Sequence, residues 1–484
     1  MKSVLTDRTA LIGASIFSAL LGIAFYFDFI WFAFLPLSIL LLWWGVKRLD
    51  LFIGAILISV PLSLNLQEFS DTALGLYMPT EPMLFLALLI FVFRSLKGWP
   101  VDKRLLKHPI SIIISLMMLW MVITTVTSFD PIVSLKFTIS RAWFIASFFF
   151  FLGHIMLHKP RYRERMVMLI LFPLCIVIVY TLIRHSGHGF EKHAGHWVMK
   201  PFFKDHTSYG AVIAMLFPPA IALLSKRNRP TLMKVMLAIA TGVIAMGLVF
   251  SFTRAAWVSL VVVAAIYAAM RLGFKLKTLV GIGVIIVALV WTSQDSIIIE
   301  LQRNKQDSSD NLTEHVESIS NVSSDDSNLE RLNRWSCAIS LFKERPITGW
   351  GPGTYQFVYA PFQKSDLKTS ISTNNADGGN AHSEYLGPLA EQGVLGALFM
   401  ILLVWWASKM GFRLWRNIKN VDERNLAISV YLGLMTYFIH GILNNYLDTD
   451  KANAPFWGFL VLLVVLDIEM KQKEKTKSLK PAAQ

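Results

Sequence analysis

Cysteine is almost missing from this chain, with two in 484 residues. Cys175 lies in an apolar run and Cys337 in a polar segment, so no disulfide framework is expected and no Cys/His metal spacing involves either. Charge is scarce too, at 16% of residues against 54% apolar. That balance excludes an ordinary soluble enzyme and points to a polytopic membrane protein. Acid is the scarcer sign: 46 Lys and Arg stand against 32 Asp and Glu, a formal net charge of +14. Such an excess would suggest nucleic acid, but it recurs in the short connections between apolar runs, so it reads as membrane orientation and no nucleic-acid partner is expected. The glycine-rich stretch at 349–353 lacks the Lys-Ser/Thr ending and the preceding strand of a nucleotide loop. No small-residue cleavage site follows the first apolar run, and a second begins near Ile30, so a retained first helix is expected.

What the chain has in abundance is apolar runs. A spanning helix needs about 20 mostly apolar residues, and on that measure there are about fourteen candidates. They lie near 10–27, 29–46, 51–66, 82–96, 109–127, 138–157, 166–183, 207–225, 233–250, 253–270, 277–294, 386–408, 426–444 and 455–468. The expected fold is an all-α polytopic membrane protein of about 12–14 transmembrane helices, with one large extracytoplasmic loop region containing short helices. Residues 1–294 would hold about 11 helices, 295–385 the loop, 386–470 about three more, and 471–484 a basic cytoplasmic tail. With the amino terminus inside, strict alternation puts roughly two-thirds of the basic residues on one face. Both termini are then cytoplasmic, and the blocks 184–206 and 295–385 lie outside.

The long polar block divides in three. Residues 303–328 are acidic and Ser-rich and are expected to be mobile. From Asn328 to about Glu344 the spacing predicts an amphipathic helix on the outer membrane surface. Leu332, Trp335, Ile339 and Phe342 would form its apolar face, and Arg331 and Arg334 its wet face. Gly349-Trp350-Gly351-Pro352-Gly353 follows as a tight turn, and after an irregular loop His382 arrives at the mouth of the next helix, where Ser383 or a neighbour can cap it.

Several residues in these places can carry chemistry. His382, at a helix amino terminus, suits a base or a phosphate ligand. Arg254 stands between two apolar runs with almost no loop, a placement that calls for a partner or a purpose unless it only anchors the interface. Arg141 sits similarly, at the outer end of its candidate span. Lys204-Asp205-His206 abuts a helix that could face the same cavity as Arg254. His440, Asn444 and Asn445 fall on an apolar span with Asp448 and Asp450 just beyond, where polar groups line cavities or bond between helices. His185, His188, His193 and His196, with His206 further on, form a dense cluster of the kind that can bind zinc or another transition metal, although the spacing fits no fixed site.

Taken in order, these features resemble the O-antigen ligase and polymerase superfamily. The resemblance rests on Thr253 to Trp257, Arg331, Pro346 to Gly353, His382 to Leu386 and Glu391 to Gly396. It is specific across roughly 250–400 and loose before; the length of the chain and its His-rich block depart from the family pattern. It implies a bacterial inner-membrane glycosyltransferase with a periplasmic active site. The donor would be a glycan on undecaprenyl diphosphate, the acceptor a lipid A-core sugar or another glycan, and the transfer would be metal-independent and inverting. Arg254, Arg331 and His382 match the positions of the family's essential basic residues; the arginines suit the diphosphate and His382 the catalytic base or a further phosphate contact, and Arg141, Lys204, Asp205, His206, Arg334 and His440 are secondary candidates. No Asp-rich motif of metal-dependent transferases stands at an outer loop, so no metal or other cofactor is expected. A polymerase and a protein O-oligosaccharyltransferase share the donor and differ in the acceptor. A lipid-glycan transporter would instead spread its charges through the membrane's full thickness.

Overall fold

The computed structural model describes residues 35–69, 75–292, 326–369, 372 and 379–478, together with Ser15, Ser18 and Leu21. Its principal helices are α1 (Leu35–Lys47), α2 (Leu49–Leu62), α3 (Thr80–Leu96), α4 (Pro109–Val126), α5 (Pro131–His158), α6 (Tyr162–Ser186) and α7 (His206–Leu224). They continue with α8 (Thr231–Val249), α9 (Arg254–Arg271), α10 (Leu276–Thr292), α11 (Asp326–Glu344), α12 (Leu386–Asn417), α13 (Val421–His440) and α14 (Asp450–Ser478). A two-residue antiparallel pairing sets Leu64 opposite Met78. Among the described residues eight helices are long and apolar enough to cross a membrane: α4, α5, α6, α7, α8, α9, α12 and α14. The protein is an all-α polytopic membrane protein. Each candidate span from 29–46 onward overlaps a described helix. The first span, most of the Ser-rich stretch at 303–328 and the last residues of the tail lie outside the described residues.

α14 is the axis of the bundle. It is apolar on every side from Phe456 to Leu466, all of it buried, and a helix apolar all round belongs inside a bundle. It packs against α2, α5, α6, α7, α12 and α13. The polar groups on it are matched: Trp457 Nε1 donates to Asn453 Oδ1 at 2.8 Å, and Asp467 meets Arg413, His108 and Lys471.

The helix ends sort into two sets. At one end the basic connections meet their few acids: Lys159 with Asp50 at 2.6 Å, Arg163 with Glu423 and Glu469, and Lys226 and Arg229 with Glu164. At the other end lie the starts of α7, α9, α12 and α14 and the close of α13. Ser63 at the end of α2 bonds Asp450 there at 2.7 Å, and Thr253 Oγ1 donates to the His206 carbonyl at 2.8 Å. Charge bias and three-dimensional pairing thus agree on the alternation of the described helices.

Two glycine motifs far apart in the sequence form one joint. α12 is broken at Gly393, whose φ of 69° and ψ of −162° leave the helical region. Into that break comes the 349–353 turn, with φ of 66°, 113° and 75° at Gly349, Gly351 and Gly353. Trp350 N–H donates to the Ala390 carbonyl at 3.1 Å, Gly351 N–H to that of Glu391 at 2.8 Å, and Val394 N–H to that of Pro346 at 3.0 Å. The turn is held on its other side by Ser134 Oγ, which donates to the Pro352 carbonyl at 2.8 Å. A Cβ on Gly349 would overlap the Glu391 backbone, and one on Gly393 the Ile347 carbonyl. The glycines are therefore required by close backbone approach as well as by dihedral angle.

α11 corrects one expectation. The helix ends at Glu344 as predicted, but its buried face is Asn333, Arg334, Cys337, Ala338 and Leu341, packed with Tyr355, Tyr359 and Ala390. Arg334 is not on a wet face: it is 4% exposed, with Nε 2.6 Å from Glu330 Oε1 and its guanidinium 3.8 Å from the centre of the Tyr359 ring. The apolar spacing misled because a buried ion pair and aromatic stacking let a charged side chain replace an apolar one on the packed face.

Candidate active site

The non-basic end of the bundle gathers the polar residues that the sequence singled out. Asp205 starts α7 by accepting Ser208 N–H at 2.8 Å and the Thr207 hydroxyl at 2.6 Å. Thr253, extended and buried, places Arg254 on the first turn of α9. Ser383 Oγ accepts the N–H groups of Tyr385 and Leu386 at 3.3 Å each, just ahead of α12, whose N-cap position is Tyr385 and makes no side-chain capping bond. His382, just before Ser383, takes a left-handed φ of 48°, uncommon for a residue with a side chain. It is fixed by donating N–H to Asn380 Oδ1 at 3.1 Å, and its carbonyl accepts Trp335 Nε1 of α11 at 3.4 Å.

Arg331 is the common neighbour. Its charge acts on Arg254, His206, His382, His440 and Tyr446, and Asp205 acts on all of these except Arg254. One end of the bundle thus brings together α7, α9, α11, α12, α13 and the loop after α13. Arg254, Arg331, His382, Asp205 and His206 are each half-buried, which suits side chains lining a shared hollow. Burial lowers the Arg331 pKa from its ordinary value, the mark of a cation drawn out of bulk water. Burial and then the Arg331 and Arg334 charges push His382 down to about 4, against the opposing pull of Asp205 and a hydrogen bond with Asn444. Its imidazole is neutral near pH 7, the form that can accept a proton.

The remaining candidates divide. His440 is buried, with Nε2 3.1 Å from Asn444 Nδ2 and its ring 5.8 Å from that of Tyr446. This bond is local, between residues four apart at the close of α13, and does not join two helices. Arg141 is not at a helix end: Asp130 caps α5, accepting Ile132 and Val133 N–H at 3.0 and 3.1 Å, and Pro131 follows, so the helix starts well before the apolar run. Arg141 instead lies over the Phe137 ring, and its charge reaches Glu391 and Asp448. Lys204 acts on the same Asp448. Asp448 is exposed to solvent, yet surrounding protein and then the Glu384 carboxylate push its pKa up to about 6.

Two contributors escaped sequence reasoning. Glu384 Oε1 accepts Tyr446 N–H at 2.8 Å, Leu447 N–H at 2.9 Å and the Tyr437 hydroxyl at 2.5 Å, tying the loop after α13 to the start of α12. Tyr446, whose hydroxyl bonds Thr207, is the other; both stand in short polar stretches, and nothing there announced a long-range partner. The His-rich block is mainly structural. His185 Nε2 lies 2.8 Å from the Glu191 carbonyl, with its ring against Phe190, Phe250 and Phe252, and His188 packs edge-on to Trp197. Only His196 reaches the site, stacked on His206 with ring centres 4.3 Å apart. Among the described residues no three His, Cys, Asp or Glu side chains are grouped to hold a metal ion.

Residues 237–401 match the family model described as O-Antigen ligase. The match covers about a third of the chain and supports the resemblance to the O-antigen ligase and polymerase superfamily. No curated protein matches it. The O-antigen ligase match runs from within α8 to within α12 and contains Arg254, Arg331, the glycine joint and His382. Arg141, Lys204, Asp205, His206, His440 and Asp448 fall outside it, so the helices that flank the matched segment complete the polar cluster.

Proposed function

We propose that this protein is a glycosyltransferase that moves a glycan from undecaprenyl diphosphate to a hydroxyl of a lipid A-core sugar, at the periplasmic face of the bacterial inner membrane. The observation that carries the reading is the convergence of Arg254, Arg331 and His382 from three separate helices or helix mouths. Two like charges within electrostatic range of each other repel, and an anion between them relieves that repulsion. Guanidinium groups offer forked, permanent donors to phosphate oxygens and stabilise the charge that grows on the leaving group. Beside them the neutral His382 imidazole takes the acceptor hydroxyl proton. The acceptor oxygen then bonds the anomeric carbon from the face opposite the leaving group, and the bond from that carbon to the phosphate oxygen breaks. The electron pair departs with undecaprenyl diphosphate, and the anomeric centre is inverted. His382 afterwards releases its proton to solvent or to the departing diphosphate.

Reconstitution of the purified protein with lipid-linked glycan and lipid A-core tests this proposal. Formation of the joined glycolipid is expected, and substitution of His382 or Arg254 by Ala should abolish it while lipid-linked glycan still reaches the outer face in cells. Accumulation of that glycan on the inner face of such cells would instead identify a transporter.

A further inference from the structure

At the opposite, basic end a cavity of about 480 Å³ opens between α1, α2, α3 and the last turns of α5. We propose that it binds the phosphate headgroup of an anionic glycerophospholipid, at a site separate from the cluster around Arg331. Lys47, Arg94, Lys97 and Lys159 line it against one acid, Asp50. That acid is already engaged, 2.6 Å from Lys159 and 3.6 Å from Arg48. Among the described residues Lys47, Arg94 and Lys97 make no ion pair, and Arg94 is half-buried with its guanidinium 5.6 Å from the Phe151 ring. A cation in that setting calls for an anion.

His154 supplies another kind of contact. Its Nδ1 accepts the Asp102 N–H at 3.2 Å, which leaves the proton on Nε2 as a donor in a cavity that the ring lines. The apolar side of the site argues for a lipid over a free phosphate. Val46 and Phe93 are part of its wall, and one turn away on the same helix faces Trp43, Leu89 and Leu96 are all exposed. A headgroup seated among the cations would lay its chains along this strip, and basic pockets between helices hold anionic lipid heads in this way.

The test uses the intact protein in detergent, titrated with phosphatidylglycerol and, separately, with phosphatidylcholine, and read by native mass spectrometry. Phosphatidylglycerol should remain bound and phosphatidylcholine should not. Arg94→Gln should weaken the binding about tenfold, the loss of one charge-assisted contact. Lys97→Gln, at an exposed position, should weaken it in the same direction and serves if Arg94→Gln does not fold. Equal retention of the two lipids, or unchanged binding by the variants, overturns the proposal. So does displacement of phosphatidylglycerol by micromolar inorganic phosphate, which would make the site one for a soluble anion.

Discussion

Glu384 and Tyr446 lie 62 residues apart and are joined by a 2.8 Å hydrogen bond from the Tyr446 N–H to the Glu384 carboxylate. The same oxygen also accepts from Leu447 N–H and the Tyr437 hydroxyl, so one carboxylate oxygen satisfies three buried donors. Removing it strands the Leu447 N–H and the Tyr437 hydroxyl, at about 1–3 kcal/mol for each orphaned group, while the Tyr446 N–H keeps a 3.0 Å bond to that hydroxyl. Glu384→Ala is therefore expected to lower the thermal unfolding midpoint in detergent by several degrees and to cost most of the transfer activity. Glu384→Gln keeps an acceptor oxygen in place and should recover most of the midpoint. A midpoint unchanged in the alanine variant would show that the loop after α13 is held by something else.

The glycine joint makes a sharper structural prediction. Gly393→Ala puts a methyl group on the Ile347 carbonyl at a φ of 69°, and the clash is with backbone that no rotamer change relieves. Gly242 sits in α8 with nothing within 4 Å of the place its Cβ would take. Gly242→Ala should be neutral or stabilising by about 0.5–1 kcal/mol, whereas Gly393→Ala should destabilise by more than that and disable transfer. Thermal unfolding of the two variants side by side reads the difference.

How much of this was legible in the sequence follows from what each signal depends on. The helices were readable because burial in lipid or in the bundle writes itself as long apolar runs. Their alternation was readable because most of the Lys and Arg between them fall at one set of ends. Arg254 stood out for the same reason inverted, as a charged residue between apolar runs, and His382 by its place where the polar block meets the next helix. Arg334 was misplaced because helical spacing records which residues are apolar, and its packing rests on Glu330 and Tyr359. The start of α5 at Pro131 was missed because Ser134, Lys136, Ser140 and Arg141 interrupt the apolar residues of its first half. Glu384 and Tyr446 gave no signal, since a hydrogen bond between distant residues leaves no periodicity.

Arg254 and Arg331 should be separable from His382 by what they change. Replacing either arginine by Gln is expected to weaken donor binding and to slow transfer together, since a guanidinium on the diphosphate acts both before and during bond cleavage. Lys in either place should restore the charge and only part of the function, because an ammonium lacks the planar fork. The measurement is donor concentration dependence with reconstituted protein; an Arg331→Gln variant with wild-type donor dependence and rate would remove this residue from the phosphate site.

The pH dependence of His382 has a definite sign. Its folded value is pushed down to about 4, below the ordinary 6.5 or so, so the fold favours neutral imidazole. The stability this contributes is present in full above the ordinary value and is lost as pH falls from about 6.5 toward 4. Catalysis follows the same group: transfer per unit of free enzyme and donor should be level from pH 8 to about 5 and decline only below it, where the base becomes protonated. His382→Gln should lose about 10²–10⁴-fold in rate, the usual contribution of a general base, and its residual activity should no longer show that acidic limb. A bound diphosphate brings negative charge beside the ring and raises its pKa, so the acidic limb measured at saturating donor should lie at higher pH than the one measured at low donor. Coincident limbs in the two conditions would mean that the anion does not sit beside His382.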